Sequence, residues 1–116
     1  MVLIQGMTGK EGAKAARAML DYHTDVVCGV TPKKGGQESE GKPIFNSVLE
    51  AKQKFPELSV SAIYVPPFAV KEAAMEAIDN NIPLINIMAE RVPIRDVAYF
   101  LAAAKEKNIS IIGPSS

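Results

Sequence analysis

Short runs of aliphatic and β-branched residues recur along the chain, separated by stretches with helical periodicity. The runs are Val2-Leu3-Ile4, Val26-Val27-Cys28-Gly29-Val30, Ala62-Ile63-Tyr64-Val65, Leu84-Ile85-Asn86-Ile87 and Ile109-Ser110-Ile111-Ile112. They lack strict apolar–polar alternation, as parallel strands covered on both faces do. Between them, Ala13, Ala16, Met19 and Leu20 mark one face of a helix from Glu11 to Tyr22. Val70, Ala73, Ala74, Ala77 and Ile78 follow the i, i+3, i+4, i+7, i+8 spacing of a second helix ending near Asn80. A third starts at Pro93, whose ring suits a first turn, and carries Ile94, Val97, Ala98 and Leu101. A shorter helix is predicted over Ser47–Phe55, with Asn46 as its cap and a small strand, Ile44-Phe45, before it.

The order β-α-β-(β)-α-β-α-β-α-β predicts an α/β fold: a doubly wound parallel sheet with right-handed crossovers and helices on both faces, α/β/α in three layers. Ligands of such sheets bind beyond the carboxyl ends of the strands, where the strand order reverses. That rule selects the loops Gly6–Lys10, Thr31–Gly41, Pro66–Ala69, Met88–Val92 and Gly113 onward. Lys33–Gly41 is polar and Gly-rich and reads as a mobile loop.

With 116 residues there is room for one domain, spanning 1–116. Lys plus Arg number 13 and Asp plus Glu 13, so the net charge is zero. No basic surplus is available for a generic nucleic-acid binder. No apolar stretch nears the roughly 20 residues that span a bilayer, and the opening run lacks the form of a signal peptide. A cytoplasmic protein with neither nucleic acid nor membrane as partner is expected. The single cysteine, Cys28, and the single histidine, His23, make no familiar zinc site, and no metal is expected. His23 reads as an ordinary helix-end residue and Cys28 as a buried, unactivated thiol, so neither is a catalytic candidate.

Gly6-Met7-Thr8-Gly9-Lys10-Glu11-Gly12 joins the first strand to the first helix. Glycines there let backbone N–H groups approach a phosphate, and the helix N-terminus adds partial positive charge. Thr8 offers a hydroxyl and Lys10 a cation, while Glu11 reads as a helix N-terminal acid. The G-x-x-G-x-x-G spacing differs from the dinucleotide fingerprint and from a P-loop. The second strand ends Gly29-Val30-Thr31-Pro32, and Lys33-Lys34-Gly35-Gly36 follows. A carboxylate for the ribose hydroxyls of NAD is missing there; two cations stand instead. The pair favours a nucleotide with an extra ribose phosphate, either NADP or coenzyme A (CoA).

Gln5-Gly6-Met7-Thr8-Gly9-x-x-Gly12 and Gly29-Val30-Thr31-Pro32-Lys33-Lys34-Gly35-Gly36 resemble the CoA-binding domain of the succinyl-CoA synthetase alpha subunit. Gly41-Lys42-Pro43-Ile44-Phe45-Asn46, Ile63-Tyr64-Val65-Pro66, Glu76-Ala77-Ile78-Asp79, Glu90-Arg91-Val92-Pro93 and Ile111-Ile112-Gly113-Pro114 continue the likeness in order. The resemblance implies a Rossmann-like domain that holds the nucleotide end of CoA. It implies CoA contacts at Thr8, Gly9, Lys10 and Glu11, at Lys34, and at Met88, Ala89 and Glu90, with Pro66 shaping the pocket wall. Ala89 stands where the family usually has threonine, and Ser115-Ser116 where Asn-Cys usually follows Gly-Pro. Glu90 is expected to bind rather than to transfer protons. In the family the phosphorylated histidine belongs to a second alpha domain and the nucleotide site to a beta subunit. Those are the implied partners, and this chain, ending just past a strand, reads as a fragment or minimal homologue without the full ligase reaction. Two other readings remain: an NADP- or NAD-binding domain of an oxidoreductase, and a docking domain whose ligand only sets a conformation.

Overall fold

The apolar runs become strands of one sheet. In a computed structural model of the chain, which describes residues 1–114, the strands are β1 (Val2–Gln5), β2 (Val26–Val30), β3 (Glu38–Ser39), β4 (Lys42–Phe45), β5 (Val60–Ile63), β6 (Leu84–Ile87) and β7 (Ser110–Ile112). The helices are α1 (Lys10–Asp21), α2 (Val48–Lys54), α3 (Val70–Asp79) and α4 (Ile94–Glu106), with one 3₁₀ turn at Pro67–Ala69 before α3. The substitution of Ser115-Ser116 for Asn-Cys lies outside the described residues.

The sheet order is β3-β4-β2-β1-β5-β6-β7. All pairs are parallel except β3 with β4. The chain builds outward from β1 through β2 to β4, then crosses back through α2 to β5 on the other side of β1. The strand order therefore reverses between β1 and β5, and the fold is the expected Rossmann-like one. β1 stands in register with β5 from Val2 opposite Val60 to Gln5 opposite Ile63.

That register moves the fifth strand two residues earlier than the apolar run Ala62–Val65 suggests. Ser61 is the reason: it is fully buried, and its hydroxyl donates to Gln5 Oε1 at 2.6 Å. Gln5 Nε2 in turn donates to the Ala73 carbonyl of α3 at 3.0 Å. Each buried polar group thus has a partner, and the pair ties β1, β5 and α3 together.

β3 also departs from expectation. The segment 33–41, read as a mobile loop, contains this short antiparallel strand, with Glu38 opposite Pro43 and Ser39 opposite Lys42. Asn46 does not cap α2. Ser47 does, accepting from the Glu50 amide at 3.2 Å. Asn46 Oδ1 instead accepts from the Gly35 amide at 2.8 Å.

Two clusters fill the core. On one face Leu3, Cys28, Val30, Ile63, Ile85 and Ile87 meet α2, α3 and α4, with Phe100 wholly buried. Truncating that ring to Ala costs roughly 3–5 kcal/mol. On the other face Ile4, Val26, Ile44 and Ala62 meet α1 through Ala16, Met19 and Leu20. Residues in the left-handed region close three helices: His23 (φ 62°), Asn81 (φ 58°) and Asn108 (φ 58°). The His23 amide donates to the Leu20 carbonyl and the Thr24 amide to that of Met19, so His23 ends α1 as a helix terminator. No helix among the described residues is long and apolar enough to cross a membrane.

Candidate functional site at the carboxyl edge of the sheet

The loop between β1 and α1 contains three glycines with different duties. Gly6 has φ +89°, and a Cβ there would overlap the Tyr64 carbonyl oxygen of the neighbouring loop. Gly12 sits in the first turn of α1, where a Cβ would overlap the Gly6 carbonyl oxygen. Both glycines are demanded by packing. Gly9 is not: its φ is −74°, and a Cβ would make only an ordinary 3.4 Å contact. Its face is exposed at the N-cap of α1.

The Gly9 amide donates to the Gly6 carbonyl at 3.1 Å, closing the turn. The amides of Lys10, Glu11 and Gly12 find no acceptor among the described residues, since nothing precedes them in the helix. The N-terminus of α1 thus presents free donors and the positive end of its dipole beside Thr8. Lys10 and Glu11 are both exposed, and Met7 is buried against Gly29.

The loop after β2 is built by hydrogen bonds. The Thr31 amide donates to Phe45, Lys34 to Thr31, Gly36 to Ile44 and Gln37 to Lys34. Thr8 Oγ1 donates to Thr31 Oγ1 at 3.0 Å and joins this loop to the first one. Lys33 (φ 68°) and Lys34 are exposed and take part in no ion pair among the described residues. The left-handed backbone of Lys33 lies in a turn pinned by the Gly35–Asn46 hydrogen bond.

Further along the same edge, Pro66 opens the 3₁₀ turn after β5 and is exposed. Met88 is about half exposed (53%), Ala89 buried and Glu90 exposed, all beyond β6. The nine expected contact residues therefore share the carboxyl edge in two groups. Thr8, Gly9, Lys10, Glu11 and Lys34 gather at β1 and β2; Met88, Ala89 and Glu90 stand across β5, with Pro66 between.

None of the nine lines the cleft that opens at the crossover. That cleft, about 160 Å³, is walled by Gln5 and Gly6 at the end of β1, Val30, Thr31 and Pro32 at the end of β2, Val65 and Ala69 after β5, and Glu72, Ala73 and Glu76 of α3. Nothing in the sequence singles out Glu72, and Glu76 figures there only within the family likeness; their place over the crossover comes from α2, which carries the chain back past β1. Glu76 Oε2 accepts from the Val48 amide at 2.7 Å, capping α2 from α3. Burial pushes the Glu76 carboxyl up, the Val48 hydrogen bond works against that, and the Glu72 charge adds to it.

Burial pushes the Tyr64 hydroxyl up, and the charge of Glu11 adds to it. Burial pushes the Cys28 thiol up to about 12, which keeps it protonated and unreactive at neutral pH. His23 ends α1 at the opposite edge of the sheet from these loops.

The chain is 42% identical over 115 residues to the alpha subunit of ADP-forming succinate–CoA ligase from Methanothermobacter thermautotrophicus, covering 98% of this chain and 38% of that subunit. It is 38% identical over 112 residues to an ADP-forming sulfoacetate-CoA ligase subunit from an Acholeplasma species, covering 97% of this chain and 38% of that protein. The chain thus spans well under half the length of these relatives. ATP citrate lyase from Methanothrix soehngenii, solved in complex with citrate and coenzyme A, superposes with a TM-score of 0.85. At 22% identity, over 99% of this chain and 20% of that one, this likeness speaks for the fold. Residues 1–91 match the family described as the CoA binding domain. With the match running from β1 past β6, through every loop that forms the site, the chain belongs to the CoA-binding domain family.

Proposed function

We propose that residues 1–116 act as one domain that holds the nucleotide and pyrophosphate end of CoA along the carboxyl edge of the sheet. The pyrophosphate lies on the α1 N-terminus, over the bare face of Gly9, within reach of the Thr8 hydroxyl and the free amides of Lys10 and Glu11. The ribose 3′-phosphate meets Lys34, with Lys33 beside it. The pantetheine arm runs the other way, past Pro66 and over Met88, Ala89 and Glu90. The observation that carries this reading is the Thr8–Thr31 hydrogen bond, which joins two loops whose first-turn amides and two lysines find no partner among the described residues.

The domain then serves an acid–CoA ligase of the succinate type. Likeness to ligase subunits more than twice as long supports this, and the partners are the remaining part of such an alpha subunit and a beta-type subunit.

Titration calorimetry with CoA, dephospho-CoA, NADH and NADPH at fixed ionic strength tests the reading. CoA is expected to bind more tightly than dephospho-CoA and than either dinucleotide. In Lys34→Ala the advantage of CoA over dephospho-CoA should shrink by about tenfold, the size of one charge-assisted hydrogen bond. Equal losses for both ligands would remove Lys34 from the 3′-phosphate site. Preferential binding of NADPH would overturn the CoA reading.

A further inference from the structure

We propose that Arg17 and Glu40 are a positioning pair for the anion site: their ion pair fastens the β3–β4 hairpin to α1 and so holds the Lys33–Lys34 turn beside the first-turn amides of that helix. The inference rests on the CoA placement given above and adds the residues that keep its two halves together.

The hairpin is slight. β3 has two residues, lies at the edge of the sheet and pairs only with β4, and so short a strand holds little stability of its own. Two bonds extend the ladder, from the Gly36 amide to the Ile44 carbonyl and from the Ile44 amide to that of Gln37. The turn is Glu40-Gly41, with φ 51° and 77°. Two-residue turns of this hand favour Asn or Asp before Gly, and here Glu stands in that place. Its longer side chain reaches α1: Glu40 Oε1 accepts from Arg17 Nε at 2.7 Å, across 23 positions of the sequence. Thirteen basic and thirteen acidic side chains are present, yet these two make the one ion pair between side chains among the described residues. The Glu40 side chain is only 24% exposed, so water screens this pair less than a fully open one.

The hairpin is thus tied at three heights. Arg17 holds its tip, Ser39 Oγ donates to the Met7 carbonyl at 3.5 Å, and Asn46 Oδ1 holds the Gly35 amide at its root. Lys33 and Lys34 stand between that root and Thr31. Helix α1 carries both Arg17 and the first-turn amides, so fixing the hairpin to α1 fixes the cations relative to the amides. With the ion pair broken, fewer molecules have both halves in place, and apparent affinity falls with that fraction.

The test is calorimetric titration with CoA and dephospho-CoA, at fixed ionic strength, of the parent, Arg17→Gln, Glu40→Gln and the double exchange Arg17→Glu with Glu40→Arg. The readout is the ratio of the two affinities, which a loss of folded protein leaves untouched because it lowers both alike. Each single variant should narrow the ratio about threefold, the size of an exposed ion pair, and the exchange should restore it. Net charge falls in one single variant and rises in the other, so charge acting at long range would move the ratio in opposite directions. Opposite movements, no movement, or a narrowing that the exchange does not reverse would overturn the pair and leave the CoA placement standing. A parent chain that fails to bind CoA, or binds it no better than dephospho-CoA, overturns the placement and the pair together.

Discussion

At the scale of single residues, the first loop separates what the fold needs from what a ligand needs. Helix propensity favours Ala over Gly at position 12 by about 1 kcal/mol. Overlap of the new Cβ with the Gly6 carbonyl is the larger effect, because a backbone oxygen in a closed turn has nowhere to go. Gly12→Ala is therefore expected to lose about 2 kcal/mol in urea unfolding. Gly9 sits at the N-cap of α1 with ordinary extended angles, where Asn is a better cap than Gly. Gly9→Asn should unfold at the same urea concentration as the parent or slightly above, yet bind CoA at least tenfold more weakly, its side chain filling the approach to the free amides. A Gly9→Asn chain that keeps full affinity would mean the loop is only a turn. The spacing G-x-x-G-x-x-G was readable in the sequence, but this division of labour was not. It depends on the carbonyls of Gly6 and Tyr64, and Tyr64 arrives from a strand far along the chain.

Among the elements, α2 and α3 are joined by a single carboxylate. Glu76 leaves its own helix to accept from the first amide of α2, and it does so partly buried with Glu72 one turn away. Its carboxyl is raised, so the folded chain holds the Glu76 proton more readily than the unfolded chain does. The sign follows: this group favours the folded state most at acid pH, and the advantage is lost as pH rises through the raised folded value. Glu76→Gln keeps an oxygen for the Val48 amide and removes the charge. Around pH 7 the variant should be at least as stable as the parent, and the gap should close on acidification until Glu76 is protonated. A variant less stable at pH 7 would show that the ionised cap on α2 outweighs its burial cost. In the sequence Glu76 figures only within the Glu76-Ala77-Ile78-Asp79 stretch of the family likeness, and its capping role is not legible there, because a cap supplied by another helix leaves no local signature. Asn46 was misread for the related reason that its side chain is taken by Gly35 in the preceding loop. Ser61 hid the start of β5, since its partner Gln5 lies on another strand. The order of elements was legible throughout, while boundaries failed where a polar side chain found its partner across the fold.

For the molecule as a whole, the two faces of the sheet are covered unequally. α2, α3 and α4 lie on one face, and α1 alone covers the other, over β1, β2, β4 and β5. On the α1 side of the β6–β7 edge, Leu84 and Asn86 are only half-buried, and Ile112 is 56% exposed. Continuous apolar runs suggested strands covered on both faces, and β6 and β7 do not meet that expectation. The side chains on that face are mixed, Leu84 and Ile112 with Asn86 and Ser110, as a partly open face allows. Asn86 and Ser110 were the faint sign of an open face in the sequence, and the position of α1 explains it. Stability should follow burial position by position along this edge. Ile85 points into the three-helix side and is fully buried, so Ile85→Ala should cost about 3 kcal/mol. Ile112 points to the uncovered side, and Ile112→Ala should stay within about 0.5 kcal/mol of the parent. Urea unfolding of both variants at two protein concentrations checks this. If Ile112→Ala proved as costly as Ile85→Ala, with a loss that grew with protein concentration, a second molecule would be covering that face in solution, since only an intermolecular contact makes the stability of one side chain depend on how much protein is present.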